Sequence, residues 1–135
     1  MLTIKREQRS RIGEPAFEER TFQHFRIMHP EMAWRLPERE LRRRIRHGLA
    51  KGRSYGLTWE YSLTLFLAHM LEINPRFDEH PAIQAVLRDD SIPPDERMDE
   101  LTSDRVTDEQ WEEAAAMGDP SEYWSAVASD GGASD

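Results

Sequence analysis

The segment from Trp59 to Ile73 constrains this chain more than any other. Trp59, Leu63, Phe66, Leu67 and Met70 fall on one stripe at helical spacing, and Tyr61, Leu65, Leu71 and Ile73 cover much of the remaining circumference. A helix apolar nearly all round has to be wrapped by other elements, so the pattern predicts a central helix over 59–73. Thr58 is the expected N-cap, Glu60 places negative charge at the positive end of the helix dipole, and Asn74-Pro75 stops the helix.

The flanking segments also repeat at helical period. Phe17, Phe22, Phe25 and Met28 predict a helix over 15–28, opened by Pro15, and a short turn follows over Glu31–Leu36. After Pro37, Leu41, Ile45 and Leu49 recur every four residues while Arg39, Arg42, Arg43 and Arg46 take the other faces, which predicts a basic amphipathic helix over 38–51. Gly52 and Gly56 are candidates for the left-handed conformation that ends it. Shorter helices are expected over 81–88, after Pro93-Pro94 with Met98 and Leu101 inward, from the Thr107 N-cap to Met117, and over 121–128. No stretch alternates as a strand would. The expected fold is therefore all-α: a compact single-domain bundle of about five to seven helices around the apolar helix. Residues 1–14 would form a basic N-terminal arm, 15–128 the domain, and 129–135 a flexible tail.

Charge is unevenly placed. Residues 1–53 hold 14 Lys+Arg against 7 Asp+Glu, and residues 54–135 hold 4 against 19, which together make the net charge of −8 of an acidic protein. Opposite halves of this kind neutralise each other or steer a charged partner. With no cysteine and no apolar run behind Met1–Glu7, the sequence predicts a cytoplasmic protein without a secretory signal. The stretch Leu57–Ile73 is interrupted by Glu60, His69 and Glu72 and is too short to span a bilayer, so no membrane segment is expected.

The chemistry-bearing patterns are sparse. His24, His29, His47, His69 and His80 form no i, i+4 pair and no metal-binding motif, so neither a metal nor a cofactor is expected. There is no nucleophile elbow, no phosphate-cradling glycine loop and no dinucleotide fingerprint, which predicts a protein that is not an enzyme and has no catalytic residue. The basic helix 38–51, extended by Lys51 and Arg53, could lie along phosphates. The strongly negative remainder of the chain disfavours nucleic acid as the partner. Trp34, Trp111 and Trp124 lie in short or terminal segments, where a tryptophan serves either the core or an interface. The candidate partner-binding residues are thus Trp34, Arg39, Arg42, Arg43, Arg46, Trp111 and Trp124, and a homodimer would use the same tryptophans.

The middle of the chain has a recognisable order of blocks. These are His24-Phe25-Arg26 with His29-Pro30, then Leu41 with Arg44-Ile45-Arg46-His47-Gly48-Leu49-Ala50, and Ser54-Tyr55-Gly56-Leu57-Thr58. Phe66-Leu67 with Met70, Phe77-Asp78 with Pro81, and Val86-Leu87-Arg88-Asp89 follow. Across residues 24–101 this order resembles a family of small helical bacterial proteins encoded beside effectors of type VI secretion systems. The resemblance implies a helical fold and an accessory, chaperone-like role: a non-enzymatic protein that holds a secretion effector or its adaptor. An immunity protein that neutralises a toxin is the alternative. The blocks also read structurally. Gly48 permits close helix packing, Tyr55, Gly56 and Thr58 form the turn and cap into the apolar helix, and Phe77 and Asp78 anchor the next loop, with Asp78 capping nearby amides. The chain departs from the pattern at Ala82-Ile83, and residues 102–135 lie outside it.

Overall fold

The computed structural model describes the backbone of residues 6–132 and the side chains of residues 15–128. The architecture is all-helical, with no strand among the described residues. The helices are α1 (Arg6–Met28), α2 (Pro30–Ala33), α3 (Glu38–Ser54), α4 (Glu60–Glu72), α5 (Pro81–Leu87), α6 (Arg97–Glu100), α7 (Asp108–Ala115) and α8 (Pro120–Gly132). Single 3-10 turns at Phe77–Glu79 and Pro94–Glu96 precede α5 and α6.

Two boundaries differ from the sequence reading. Helix α1 runs through Pro15 back to Arg6, so it begins nine residues before the expected start and within the segment read as an arm. A proline inside a helix forfeits one backbone hydrogen bond without necessarily ending it, which is why it misleads as a start signal. Helix α8 likewise extends through 129–132, into the expected tail. Residues 1–5 and 133–135, the rest of the expected arm and tail, lie outside the described residues. The chain's contacts cluster into two units, Met1–Arg46 and His47–Asp135, where the sequence reading had one domain over 15–128. Apolar periodicity shows which faces are buried but not which faces meet.

In the first unit α1 buries Phe17, Thr21, Phe22 and Phe25, a stripe of a little over two turns, and Ala33, Leu41 and Ile45 are buried in the same unit. Thr21 returns its hydroxyl to the Phe17 carbonyl (2.8 Å), so its polar atom is satisfied inside the helix.

The second unit is built on a close approach of two helices. A Cβ at Gly48 would run into the Leu67 side chain and lie 3.4 Å from Met70 Sδ, and one at Gly52 would lie 3.0 Å from Leu63 Cδ2. One helical turn apart on α3, these glycines leave room for the buried side chains of α4. Helix α4 buries Ser62, Leu63, Phe66, Leu67 and Met70. Each such large apolar side chain contributes about 1.5–3 kcal/mol on burial. From Ser62 to Leu71 every residue is buried or half-buried, and exposure is confined to the ends of the segment. Trp59, the N-cap, is 54% and Tyr61, in the first turn, 59% exposed, and each carries a polar atom that tolerates water. Phe77 extends the cluster, its ring 5.1 Å from that of Phe66 and 5.3 Å from that of His69.

The caps are largely long-range. Thr58 does not cap α4 with its hydroxyl as expected; Asp95 accepts from the Thr58 and Trp59 amides (both 2.8 Å) and from the Thr58 hydroxyl (2.7 Å). Asn74 donates to the carbonyls of Ala115 and Gly118 and so tethers the end of α7. Thr107 caps α7 as expected, and closes a reciprocal capping box with Gln110. Arg97 is buried, with its guanidinium on the carbonyls of Leu87 (2.9 Å), Ile92 (3.0 Å) and Tyr55 (3.3 Å). Of the two candidate glycines, Gly56 takes a left-handed conformation (φ 91°) and Gly52 is helical.

Candidate functional site

The first unit presents a ladder of guanidinium and aromatic groups that rises from the core to the surface. Phe22 is fully buried on α1. The Arg42 guanidinium lies 3.9 Å from its ring centroid and that of Arg26 lies 5.3 Å from it. Arg26 stacks in turn on Trp34 at 3.9 Å. The ladder exists because Phe22 and Arg26 are four residues apart on α1 and therefore share a face. Pro30 then begins α2 directly after α1, which brings Trp34, the C-cap of α2, back beside Arg26. Trp34 is nevertheless 64% exposed, and Ile27 and Met28 at the end of α1 are exposed as well. A stacked but exposed tryptophan is restrained without being covered, so a partner that lands on it loses little side-chain entropy.

Of the predicted arginines, Arg42, Arg43 and Arg46 are engaged within the unit. Arg42 pairs with Glu19 (2.8 Å) and Glu38 (3.0 Å), Arg43 and Arg44 share Glu40 (3.1 and 2.8 Å), and Arg46 reaches Glu18 (3.4 Å). The Arg42 contact holds the Glu19 carboxyl below the usual range, chiefly through the hydrogen bond itself. Arg39 is exposed. The basic helix is therefore studded with carboxylates, and a phosphate backbone would have to displace them one by one. The structure links Trp34 to Arg42 through Phe22 and Arg26. Arg26 carries that link, and its spacing from Phe22 was the available signal.

The remaining tryptophans belong to the second unit. Trp124 is only 4% exposed and packs on His47 and Tyr123 at 5.7 and 5.1 Å between ring centroids, so it is a core residue and not a presented one. Trp111 is half-buried against His69 (5.5 Å) and Phe77 (6.5 Å).

Two of the structural residues of the sequence reading, Tyr55 and Asp78, converge with Lys51 on a polar network. Asp78 Oδ1 lies 2.8 Å from Lys51 Nζ, and Oδ2 accepts from the Tyr55 hydroxyl at 2.7 Å. Asp78 thus serves a buried ion pair and not the backbone amides it was expected to cap. Lys51 also donates to the Pro75 carbonyl (3.0 Å) and the Tyr123 hydroxyl (3.4 Å), and Tyr123 lies 2.6 Å from His47 Nε2. Burial, reinforced by the hydrogen bond to Asp78, pushes the Tyr55 phenol up to about 12. Each of these groups already has its partner, and among the described residues no three His, Asp or Glu side chains are grouped to hold a metal ion.

Two histidines make the second unit sensitive to acid. Burial lowers the pKa of His69 and of His47, with the nearby Lys51 charge adding to the effect at His47. An unfolded histidine titrates near 6.5. Below that pH the unfolded chain binds protons that the folded one refuses, so stability is full above about pH 6.5 and falls as pH drops through the folded values. The melting temperature should therefore decline between about pH 7.5 and 5.5, and the double variant His47→Gln/His69→Gln should show a much flatter dependence. An equally steep decline in that variant would assign it to other groups.

Among the described residues, no helix is long and apolar enough to cross a membrane. No family model matches the chain, and no curated protein or solved structure shows significant similarity to it.

Proposed function

We propose that this protein is a non-enzymatic accessory protein that binds another protein through the Trp34 surface of its first unit, in the manner of a type VI secretion effector chaperone. The observation that carries this reading is Trp34 itself: 64% exposed, yet stacked on Arg26 and joined to the core through Phe22. Exposed tryptophan and arginine are the side chains that most often dominate protein interfaces. Ile27 and Met28 add apolar surface at the end of the same helix. The neutralised arginines of α3 favour this reading over nucleic-acid binding. The partner is the secretion effector or its adaptor, met in the cytoplasm before export. In the same reading α4 is the packing centre of the scaffold, and no cofactor takes part.

The test is co-expression with the adjacent effector. Trp34→Ala should weaken effector capture at least about tenfold, the loss expected of an interface hot spot, while the circular dichroism and melting temperature stay near those of the parent. Undiminished capture by Trp34→Ala, or an effector equally soluble and exported without this protein, overturns the reading. Rescue of cells from the effector's toxicity without any effect on its export would instead mark an immunity protein.

A further inference from the structure

Helix α8 is seated on the second unit through few side chains, and they meet at one titratable group. Among residues 120–128, Trp124 is the one buried side chain, and Tyr123, Val127 and Ala128 are half-buried. Trp124 packs on the His47 ring at 5.7 Å, and the Tyr123 hydroxyl lies 2.6 Å from His47 Nε2 and 3.4 Å from Lys51 Nζ. The chain leading into α8 is fastened separately. Asn74 holds the carbonyls of Ala115 (3.1 Å) and Gly118 (3.0 Å), and Gly118-Asp119 then leads to Pro120 at the start of α8. A displacement of α8 about residues 118–120 therefore leaves both the Asn74 tether and the Lys51–Asp78 pair in place.

The charges at this contact balance while His47 is neutral. Lys51 comes from α3, one turn on from His47, and Arg76, Asp78 and Glu79 come from the 3-10 turn and the residue before it. Lys51 lies 2.8 Å from Asp78 and 4.0 Å from Glu79, and Arg76 lies 3.2 Å from Glu79. Both cationic groups lie 5.1 Å from the centroid of the Tyr123 ring. Arg43, one turn back on α3, is paired with Glu40; Asp119 accepts from the Ser121 amide (2.9 Å), and Glu122 of α8 is exposed. Two cations thus meet two acids, and a proton on His47 makes the count three against two. An imidazolium carries two N–H groups and no acceptor, so the Tyr123 oxygen would face donors from His47 and Lys51 together.

We infer that α8 is a latch that opens from His47 when the imidazole is protonated, while the rest of the second unit stays folded. Opening returns the ring to water and to its ordinary affinity for a proton. One pH unit below about 6.5 this favours the open form about tenfold. In the closed form burial disfavours the charged ring and Lys51 adds to it, against an opposing pull from Asp78. Asp78 does not reverse the sign because its carboxylate is already engaged by Lys51 and Tyr55. The latch is closed above about pH 6.5 and loosens as pH falls below it, the direction set by a histidine whose folded pKa is lowered. An element seated by so few buried side chains is of the kind that opens locally before the whole unfolds. Opening uncovers Trp124 and Tyr123, which are covered at neutral pH, and it does not depend on the reading of the Trp34 surface.

Fluorine NMR of the full chain labelled with fluorotryptophan tests it, with the lines of the four tryptophans assigned by single Trp→Phe variants. Between about pH 7.5 and 5.5 the ratio of open to closed form read at the Trp124 line should rise about tenfold. The circular dichroism should keep its helical signal and the urea transition its cooperativity over the same range. The ring protons of His47 should titrate with the midpoint of the Trp124 change. His47→Gln, neutral at every pH, should hold the Trp124 line at its closed position, and His69→Gln should leave the Trp124 change as it is in the parent. The midpoint comparison needs no variant, so it decides the matter even if His47→Gln fails to fold. A Trp124 line that does not move, that moves with a midpoint other than that of His47, that moves equally in His47→Gln, or that moves only as the cooperative fold is lost overturns the latch.

Discussion

Asp78→Ala should destabilise the second unit by about 3 kcal/mol, the lower end of the range for breaking a buried ion pair from one side. The carboxylate is 1% exposed and joins Lys51 on one oxygen to Tyr55 on the other. Its removal strands a half-buried ammonium and a phenol. Lys51 keeps the Pro75 carbonyl and has Glu79 at 4.0 Å, which moderates the loss and sets the estimate at the low end. Lys51→Met should cost more, about 4 kcal/mol, because it leaves the deeper charge without its counter-ion. The pair Lys51→Met/Asp78→Leu should cost less than the sum of the single changes, since no isolated charge remains. Urea unfolding measures all three. An ultraviolet titration of Tyr55 supplies a second readout: without Asp78 its pKa should fall from about 12 toward the ordinary value but stay above it, because burial is the larger cause and persists. A loss under about 1 kcal/mol for Asp78→Ala would show that the pair repays only its own desolvation.

That network also marks where sequence reasoning stops. Features whose partners lie within one turn were legible: the Thr107 N-cap, the start of α5 at Pro81 and the 41, 45, 49 stripe of α3. Tyr55 and Asp78 were singled out as structural, but their bond spans 23 residues, and no local spacing encodes it. Separation in sequence likewise hid the cap on α4, where Asp95 takes the role expected of Thr58, and the use of Arg97 as a buried brace. Tryptophan was ambiguous for a different reason. Trp34 and Trp124 both lie in short or terminal segments, yet one is stacked in the open by Arg26 while the other is enclosed by His47 and Tyr123. What decides between them is the neighbour brought by tertiary contact, which composition does not carry. Periodicity likewise counted Trp59 and Tyr61 with the apolar residues of the segment, although both lie at its start and tolerate water through their polar edges.

Leu67→Asp should leave the second unit unable to fold at neutral pH. Leu67 is fully buried, and its side chain occupies the space that a Cβ on Gly48 would claim, so the carboxylate would enter at the tightest contact between α3 and α4. No Lys or Arg lies on α4 to receive it. An unpaired buried charge of this kind costs more than about 5 kcal/mol, comparable with the whole stability of a small domain. The expected result is loss of the cooperative melt, with partial recovery in acid as the new carboxyl protonates. Leu67→Ala, which adds no charge, should cost about 2–5 kcal/mol from the transfer and cavity terms together. It also opens space beside Gly48, so Gly48→Ala, a strained change in the parent because of Leu67, should cost less in the Leu67→Ala background or even stabilise it through higher helix propensity. This coupling tests the α3–α4 contact specifically, because a general loss of burial would give additive effects. If Leu67→Asp melted cooperatively near the parent temperature, or if the Gly48 and Leu67 changes simply added, the packing of α4 into the glycine-lined face of α3 would be wrong.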